Sequence, residues 1–225
     1  MKQSPKTKKA QATRLQIMEA ALDLFQERGF DQTTMRDIAQ KAKVALGAAY
    51  YYFKTKQELV LAFYADTQAA AEEHHRDSLV AQSRFKERMQ DIVWYRLELL
   101  RPYRSFLSVL ARHVDPSHAI SPFSPETKDL RERSIKMIAE ALEGSGLKPS
   151  KTIAPHLPHL LWLYQMGLVF FWLCDNSKDQ QNTRRLLDIS LKVLQTVIRM
   201  SKNPLLRATN KGIKELMEII EANMS

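Results

Sequence analysis

The spacing of apolar residues within residues 33–59, TTMRDIAQKAKVALGAAYYYFKTKQEL, constrains this chain more than any other feature. Behind the hydroxyl of Thr34, residues Met35, Ile38, Ala39 and Ala42 recur at helical intervals. Asp37 stands three positions after Thr34, where a capping box needs a carboxylate. A few residues later, residues 44–53 form a second short apolar stretch. Its Ala49 and Phe53 lie four apart and can pack on the first helix, while its other face is small residues and tyrosines. The pattern predicts two short helices joined by a tight turn.

The flanking sequence extends this unit. Thr13 and Gln16 have capping-box spacing, and Ile17, Ala20, Ala21, Leu24 and Phe25 continue a helix that Gly29 ends. Before it, residues 1–12 read as a lysine-rich arm that stays mobile until it meets a partner. Thr55 and Glu58 form a third capping box, opening a long helix through Leu59 and Phe63 towards Asp77. No Gly or Pro separates that helix from the head, so it can carry a displacement between the two parts of the molecule.

Together these residues resemble the DNA-binding head of the tetracycline-repressor (TetR) family of bacterial transcription regulators. The matching positions are Gly29-Phe30, Thr33-Thr34, Asp37-Ile38-Ala39, Ala42, Val44, Gly47, Tyr50-Tyr51-Tyr52-Phe53-Lys54, Lys56 and Glu58-Leu59, within residues 10–62. Lys43 stands where the family usually has glycine, and Ala45 where it usually has serine. The resemblance implies an all-α chain with a three-helix helix-turn-helix domain over residues 13–56 and a larger helical effector-binding and dimerisation domain over residues 57–225. It also implies that Lys56, Thr33, Thr34 and Tyr51 or Tyr52 meet phosphates, and that Arg36, Ala45, Leu46, Gly47, Ala48 and Tyr50 face bases. Physical chemistry narrows the second group. Ala45, Leu46, Gly47 and Ala48 carry no side-chain hydrogen-bonding group, so direct readout falls to Arg36 and the tyrosines, with DNA shape contributing. Three successive tyrosines on a helix point about 100° apart, so a small head cannot bury all of them.

Charge agrees with such a partner. Residues 1–56 hold 11 Lys and Arg against 5 Asp and Glu, a net +6 of the whole chain's +9. The single cysteine, Cys174, excludes an internal disulfide and a cysteine-rich zinc site; a small apolar role in a helix is expected for it. His156 and His159 lie i, i+3 without a matching carboxylate, and His74-His75 point in different directions, so no metal site is expected. No phosphate-binding glycine loop, nucleophile elbow or paired acid and base appears, so no cofactor and no enzymatic activity are expected. The N-terminal lysines are not followed by an apolar segment, and the apolar run over residues 160–174 is shorter than the ~20 residues a bilayer crossing needs, so a cytoplasmic protein without a membrane partner is expected.

Beyond the head, apolar periodicity predicts helices near residues 83–100, 102–113, 125–142, 158–174, 183–200 and 213–220, with a proline- and serine-rich loop over residues 115–125. By the resemblance, Trp94, Phe106, Leu110, His113, Trp162, Tyr164 and Met166 surround a cavity for a small, mostly apolar effector. Helix 158–174 is apolar nearly all round. With its neighbour it is expected to build a homodimer interface through Leu168, Phe171, Trp172, Leu187, Leu191, Leu194 and Ile198. The expected function is a homodimeric, ligand-responsive repressor of a palindromic duplex operator. The alternative is a carrier of apolar ligands, or a protein acting at a membrane surface, whose basic head is incidental.

Overall fold

The computed structural model describes residues 7–82, 84–112, 114–203, 205 and 207–224, and every regular element among them is helical. Helix α1 spans Lys8–Arg28 and begins earlier than the Thr13–Gln16 spacing suggests, because Thr7 caps it by accepting the Ala10 N–H at 3.2 Å. Residues 8–12 thus belong to the helix: Lys, Ala and Gln are good helix formers, and a hydroxyl already stands in front of them. Thr13 instead donates to the Lys9 carbonyl within the helix, and Gln16 crosses to the Ala42 carbonyl at 2.9 Å. The rest of the expected arm, residues 1–6, lies outside the described residues.

Gly29, at φ +86°, ends α1. Helix α2, Met35–Lys41, opens with the expected capping box: the Asp37 carboxylate accepts the Thr34 N–H at 2.9 Å and Thr34 Oγ1 accepts the Asp37 N–H at 3.2 Å. The Thr34 hydroxyl, which donates to the same carboxylate at 2.6 Å, and the Thr34 N–H hold the Asp37 carboxyl below its usual range. The turn to α3, Leu46–Tyr52, places Lys43 at φ +51°, the left-handed region a glycine would occupy at no cost. Ala45, at the N-cap of α3, makes no side-chain cap. Ile17, Phe25, Ile38, Ala49 and Leu59 are almost wholly buried and form the core of this head.

Helix α4 runs unbroken over Lys56–Ala81, out of the head and into the body. Thr55 caps it through the Glu58 N–H, but the Glu58 carboxylate takes the N–H of Lys54, one residue short of a full capping box. The body adds α5 (Phe85–Leu100), α6 (Arg104–Leu110), α7 (Lys128–Glu143), α8 (Leu157–Cys174), α9 (Gln181–Met200) and α10 (Arg207–Met224). Short 3-10 turns at Arg101–Tyr103, Pro125–Thr127 and Lys178–Gln180 lead into α6, α7 and α9.

Arginines and one aspartate tie the helix ends. Buried Arg88 donates to the carbonyls of Gln82, Glu140 and Ala141, where only a glycine at 144 leaves room for its guanidinium: a Cβ there would fall 2.0 Å from Arg88. Arg104 closes the C-terminus of α8 through the carbonyls of Trp172, Leu173 and Asp175. Asp175 caps α9 from a distance, accepting the N–H and hydroxyl of Thr183 at 2.8 and 2.7 Å. Its burial opposes ionisation, but the hydrogen bonds from Thr183 and Ser177 outweigh it and keep the carboxyl well below its usual range.

The recognition turn departs from ideal backbone chemistry at two positions, so both can be improved. Lys43→Gly is expected to raise stability by about 1 kcal/mol by relieving the left-handed strain, net of the greater freedom of the unfolded chain. Ala45→Ser should add about 0.5–1 kcal/mol as a helix cap. Urea denaturation checks both: the midpoint should rise with the slope unchanged.

Candidate functional site

The outer surface of the head divides the expected DNA-contacting residues into two groups. Thr34, Arg36, Ala45, Gly47, Tyr50 and Tyr51 are exposed, Tyr51 most of all at 72%. Leu46, Ala48 and Tyr52 are half-buried; Leu46 and Tyr52 pack on the core, and the Tyr52 ring meets Tyr51 edge-on at 5.2 Å. One tyrosine of the three therefore serves packing, as the 100° spacing requires.

Two expected phosphate ligands are corrected. Thr33 is 1% exposed, and its hydroxyl donates to the Gly29 carbonyl at 2.8 Å, closing the corner between α1 and α2. Lys56 has its ammonium over the Phe30 ring, 4.5 Å from the centroid, and donates to the carbonyls of Phe30, Asp31 and Thr33 at 2.7, 3.0 and 3.3 Å. An ammonium has three protons, and these carbonyls use all of them. Lys56 is thus a clamp between the start of α4 and the α1–α2 corner. A phosphate role was inferred from its position in the motif, and position does not reveal what lies within reach of Nζ.

Behind the head, aromatic rings join it to the body. Phe106 of α6 stacks on Phe25 of α1 with centroids 5.3 Å apart, and Phe63 of α4 meets Phe106 at 6.0 Å and Tyr103 at 4.8 Å. Phe106 is therefore a junction residue and not a cavity residue, although it sits on the helix that lines the cavity.

The cavity lies within the body, among α4, α5, α6, α7 and α8, and encloses about 160 Å³. Of the residues expected around it, Leu110, Trp162 and Met166 line it. Trp94 does not: it lies half-buried on α5, covered by the guanidinium of Arg184 at 3.8 Å. Tyr164 turns to α9, where its hydroxyl lies 2.6 Å from Ser190 Oγ. His113 lies outside the described residues. The polar part of the lining, which includes Gln68, Arg96, Arg131, Ser134 and Gln165, carries no signal in the sequence. A charged residue in an amphipathic pattern reads as surface, and only the packing of five helices turns these inward.

The expected dimer residues also divide. Leu168, Trp172, Leu187, Leu191 and Ile198 are buried in the protomer's own core, so they cannot meet a second subunit. Phe171 is exposed and Leu194 half-buried. Helix α9 carries a second apolar stripe, Leu186, Ile189, Val193, Val197 and Met200, each between 38% and 56% exposed. Its spacing of three and four residues places it along one side of the helix, about 130° round from the buried stripe. Gly167, Phe171 and Cys174 are exposed on α8. Among the described residues α8 is the one helix long and apolar enough to cross a membrane by length and composition; here it packs against α5, α6, α7 and α9.

His74 and His75 were expected to point apart, but both meet one carboxylate. His74 Nε2 lies 3.3 Å from Asp91 Oδ1, and His75 Nδ1 lies 3.2 Å from Asp91 Oδ2, which also accepts from Ser78 at 2.6 Å. Successive residues on α4 diverge, yet α5 packs close enough for a single aspartate to serve both. Burial pushes His75 down to about 4 despite Asp91, with His74 and Arg96 nearby acting in the same direction as burial.

A pair of short helices, the first closed by a capping box, with an exposed, basic-biased aromatic surface and mounted on an all-α body with a cavity, defines a helix-turn-helix DNA-binding regulator. Residues 17–63 match the family description "Bacterial regulatory proteins, tetR family", and residues 88–216 match "Tetracyclin repressor-like, C-terminal domain". The second match alone covers more than half of the chain, which therefore belongs to the TetR family of transcription regulators. Repression and response to a ligand are typical of that family, and the reading as an incidentally basic carrier is not favoured. The chain is 28% identical over 176 residues to the HTH-type transcriptional regulator TtgR of Pseudomonas putida, covering 73% of this chain and 81% of that protein. Its fold is similar to those of TetR-family regulators from Syntrophomonas wolfei (TM-score 0.68, 19% identity, 82% and 95% covered) and Nitrosomonas europaea (0.64, 18%, 81% and 97%).

The Lys56 clamp has a measurable signature. Lys56→Met is expected to lower thermal stability and to weaken DNA binding without changing the slope of log affinity against log salt, because no phosphate contact is lost. A lysine that does meet a phosphate would reduce that slope by about 1 on removal. His75 makes a second prediction. Between pH 6.5 and about 4 the unfolded chain takes up a proton that folded His75 refuses, so its contribution is complete above 6.5 and is lost as pH falls. Loss on the order of 2–3 kcal/mol across that window, absent in His75→Asn, is expected in denaturation curves.

Proposed function

We propose that this chain acts in the cytoplasm as a homodimeric repressor that grips a palindromic operator with two heads and releases it when a small molecule fills the body cavity. The observation that carries this reading is the continuity of α4, which begins against the head at Thr55 and Lys56 and lines the cavity with Tyr64, Thr67 and Gln68. A second connection supports it: α6 lines the cavity with Leu107 and Leu110 while its Phe106 stacks on Phe25 of the head. An effector weakens DNA binding only as far as it prefers the conformation that cannot bind. Occupancy of the cavity shifts the two helices on which the head rests, and with them the separation of two heads that must match successive major grooves, about 34–36 Å apart.

On the DNA, Tyr50, Tyr51 and Arg36 supply hydrogen-bonding and aromatic contact, and Ala45, Gly47 and Ala48 allow close approach of the backbone. The exposed stripe from Leu186 to Met200, together with Phe171, forms the dimer contact, since a continuous apolar strip of this kind is rarely left facing water.

Selection of bound duplexes from a random pool tests the core of the proposal: two inverted half-sites about one helical turn apart are expected. Recovery of sequences without any repeat would refute it. Val193→Glu is expected to yield a monomer by sedimentation and to weaken operator binding about a hundredfold or more, because each head then binds alone.

A further inference from the structure

The cavity's walls are mostly apolar, with Leu100, Leu107, Leu110, Trp162, Met166 and Val169 prominent. Three lining side chains break that pattern. Arg96 of α5, Ser134 of α7 and Gln165 of α8 are 9%, 4% and 2% exposed, and each has a buried polar atom without a hydrogen-bond partner: Arg96 Nε, Ser134 Oγ and Gln165 Oε1. Unpartnered buried polar atoms are rare in folded proteins, and here three of them belong to residues that line one cavity.

Charge points the same way. Arg96 makes one hydrogen bond, from its terminal nitrogen to the neutral Gln68 at 2.5 Å. Gln68 passes it on to Glu72 at 3.0 Å, but both Glu72 oxygens already hold Arg133 at 2.8 and 2.5 Å. The Glu72 carboxylate, whose charge supports Arg96 from a distance, is thus hydrogen-bonded to Arg133 instead. Among the described lining residues there are two arginines, Arg96 and Arg131, and no Asp or Glu. Burial pushes Arg96 down to about 10, which leaves it cationic at neutral pH.

We propose that the effector is a small organic acid whose apolar body fills the cavity and whose carboxylate is received by the Arg96 guanidinium and the Ser134 hydroxyl. A planar carboxylate suits a guanidinium edge better than any neutral head group. Gln165 contributes either end of its amide by rotation about its last bond. A cavity of 160 Å³ matches a body of about a benzene ring in size. The proposal rests on the reading of the cavity as the effector site, but it is tested by binding alone, without DNA, so its failure is distinguishable from failure of the operator selection.

Isothermal titration calorimetry on the full chain would compare benzoate and hexanoate with benzyl alcohol and hexanol. The acids are expected to bind about tenfold or more tightly than the matched alcohols. Arg96→Gln should abolish that preference while leaving the alcohols bound, which also shows that the variant keeps its cavity. Met166→Trp, which fills the space without touching the charge, should block acids and alcohols alike. Equal affinity for acid and alcohol, an acid preference that survives Arg96→Gln, or no binding of either acid at millimolar concentration would each overturn the proposal.

Discussion

The structure depends on one rod, α4, held at both ends by different physics. At its start, Lys56 places a full ammonium among three carbonyls of the α1–α2 corner and over the Phe30 ring. Charge-assisted hydrogen bonds to backbone carbonyls are among the stronger polar contacts, and this set joins the head to the helix beside the buried Leu59 and the Arg14–Asp66 ion pair. Further along, α4 becomes a wall of the cavity and, through His74 and His75, shares Asp91 with α5. An unbroken helix transmits tilt or rotation along its length, so the head's position is set by what α4 packs against in the body.

The aromatic junction makes that coupling two-sided. Phe25, Phe63 and Phe106 come from three different helices and meet in one cluster, and α6 contributes both to the cluster and to the cavity. Densely packed rings shift as a unit or not at all, which is how a small displacement at a cavity becomes a change in the head. The polar lining is the unfinished part of this arrangement: a buried cation with an open nitrogen is costly to leave alone. Other buried polar atoms in the body, such as Trp172 Nε1 and Gln82 Oε1, also stand unpartnered, but only here do a cation and two neighbours line one cavity among the described residues.

Much of the architecture was legible in the amino-acid order because it is local. The Thr34–Asp37 box, the Gly29 stop and the bounds of α5, α7, α8 and α9 follow from residues within a few positions of each other. Periodicity shows that α9 has apolar residues on two sides, but it cannot say which stripe meets its own core; Leu187, Leu191 and Ile198 proved to be inside, and Ile189, Val193 and Val197 outside. Trp94, Phe106 and Tyr164, which the resemblance put at the cavity, instead meet Arg184 of α9, Phe25 of α1 and Phe63 of α4, and Ser190 of α9.

The sequence by itself determined that this chain is helical, that it begins with a compact basic helix-turn-helix and that a larger apolar body follows, because caps, breaks and helical repeats act over one or two turns. Only the tertiary structure decided which side chains work at a surface and which are held inside. Lys56 became a clamp and Arg96 a cation inside an apolar cavity because groups more than 20 residues distant came within hydrogen-bonding range. Distances of that kind are set by how helices pack, and no local pattern carries them.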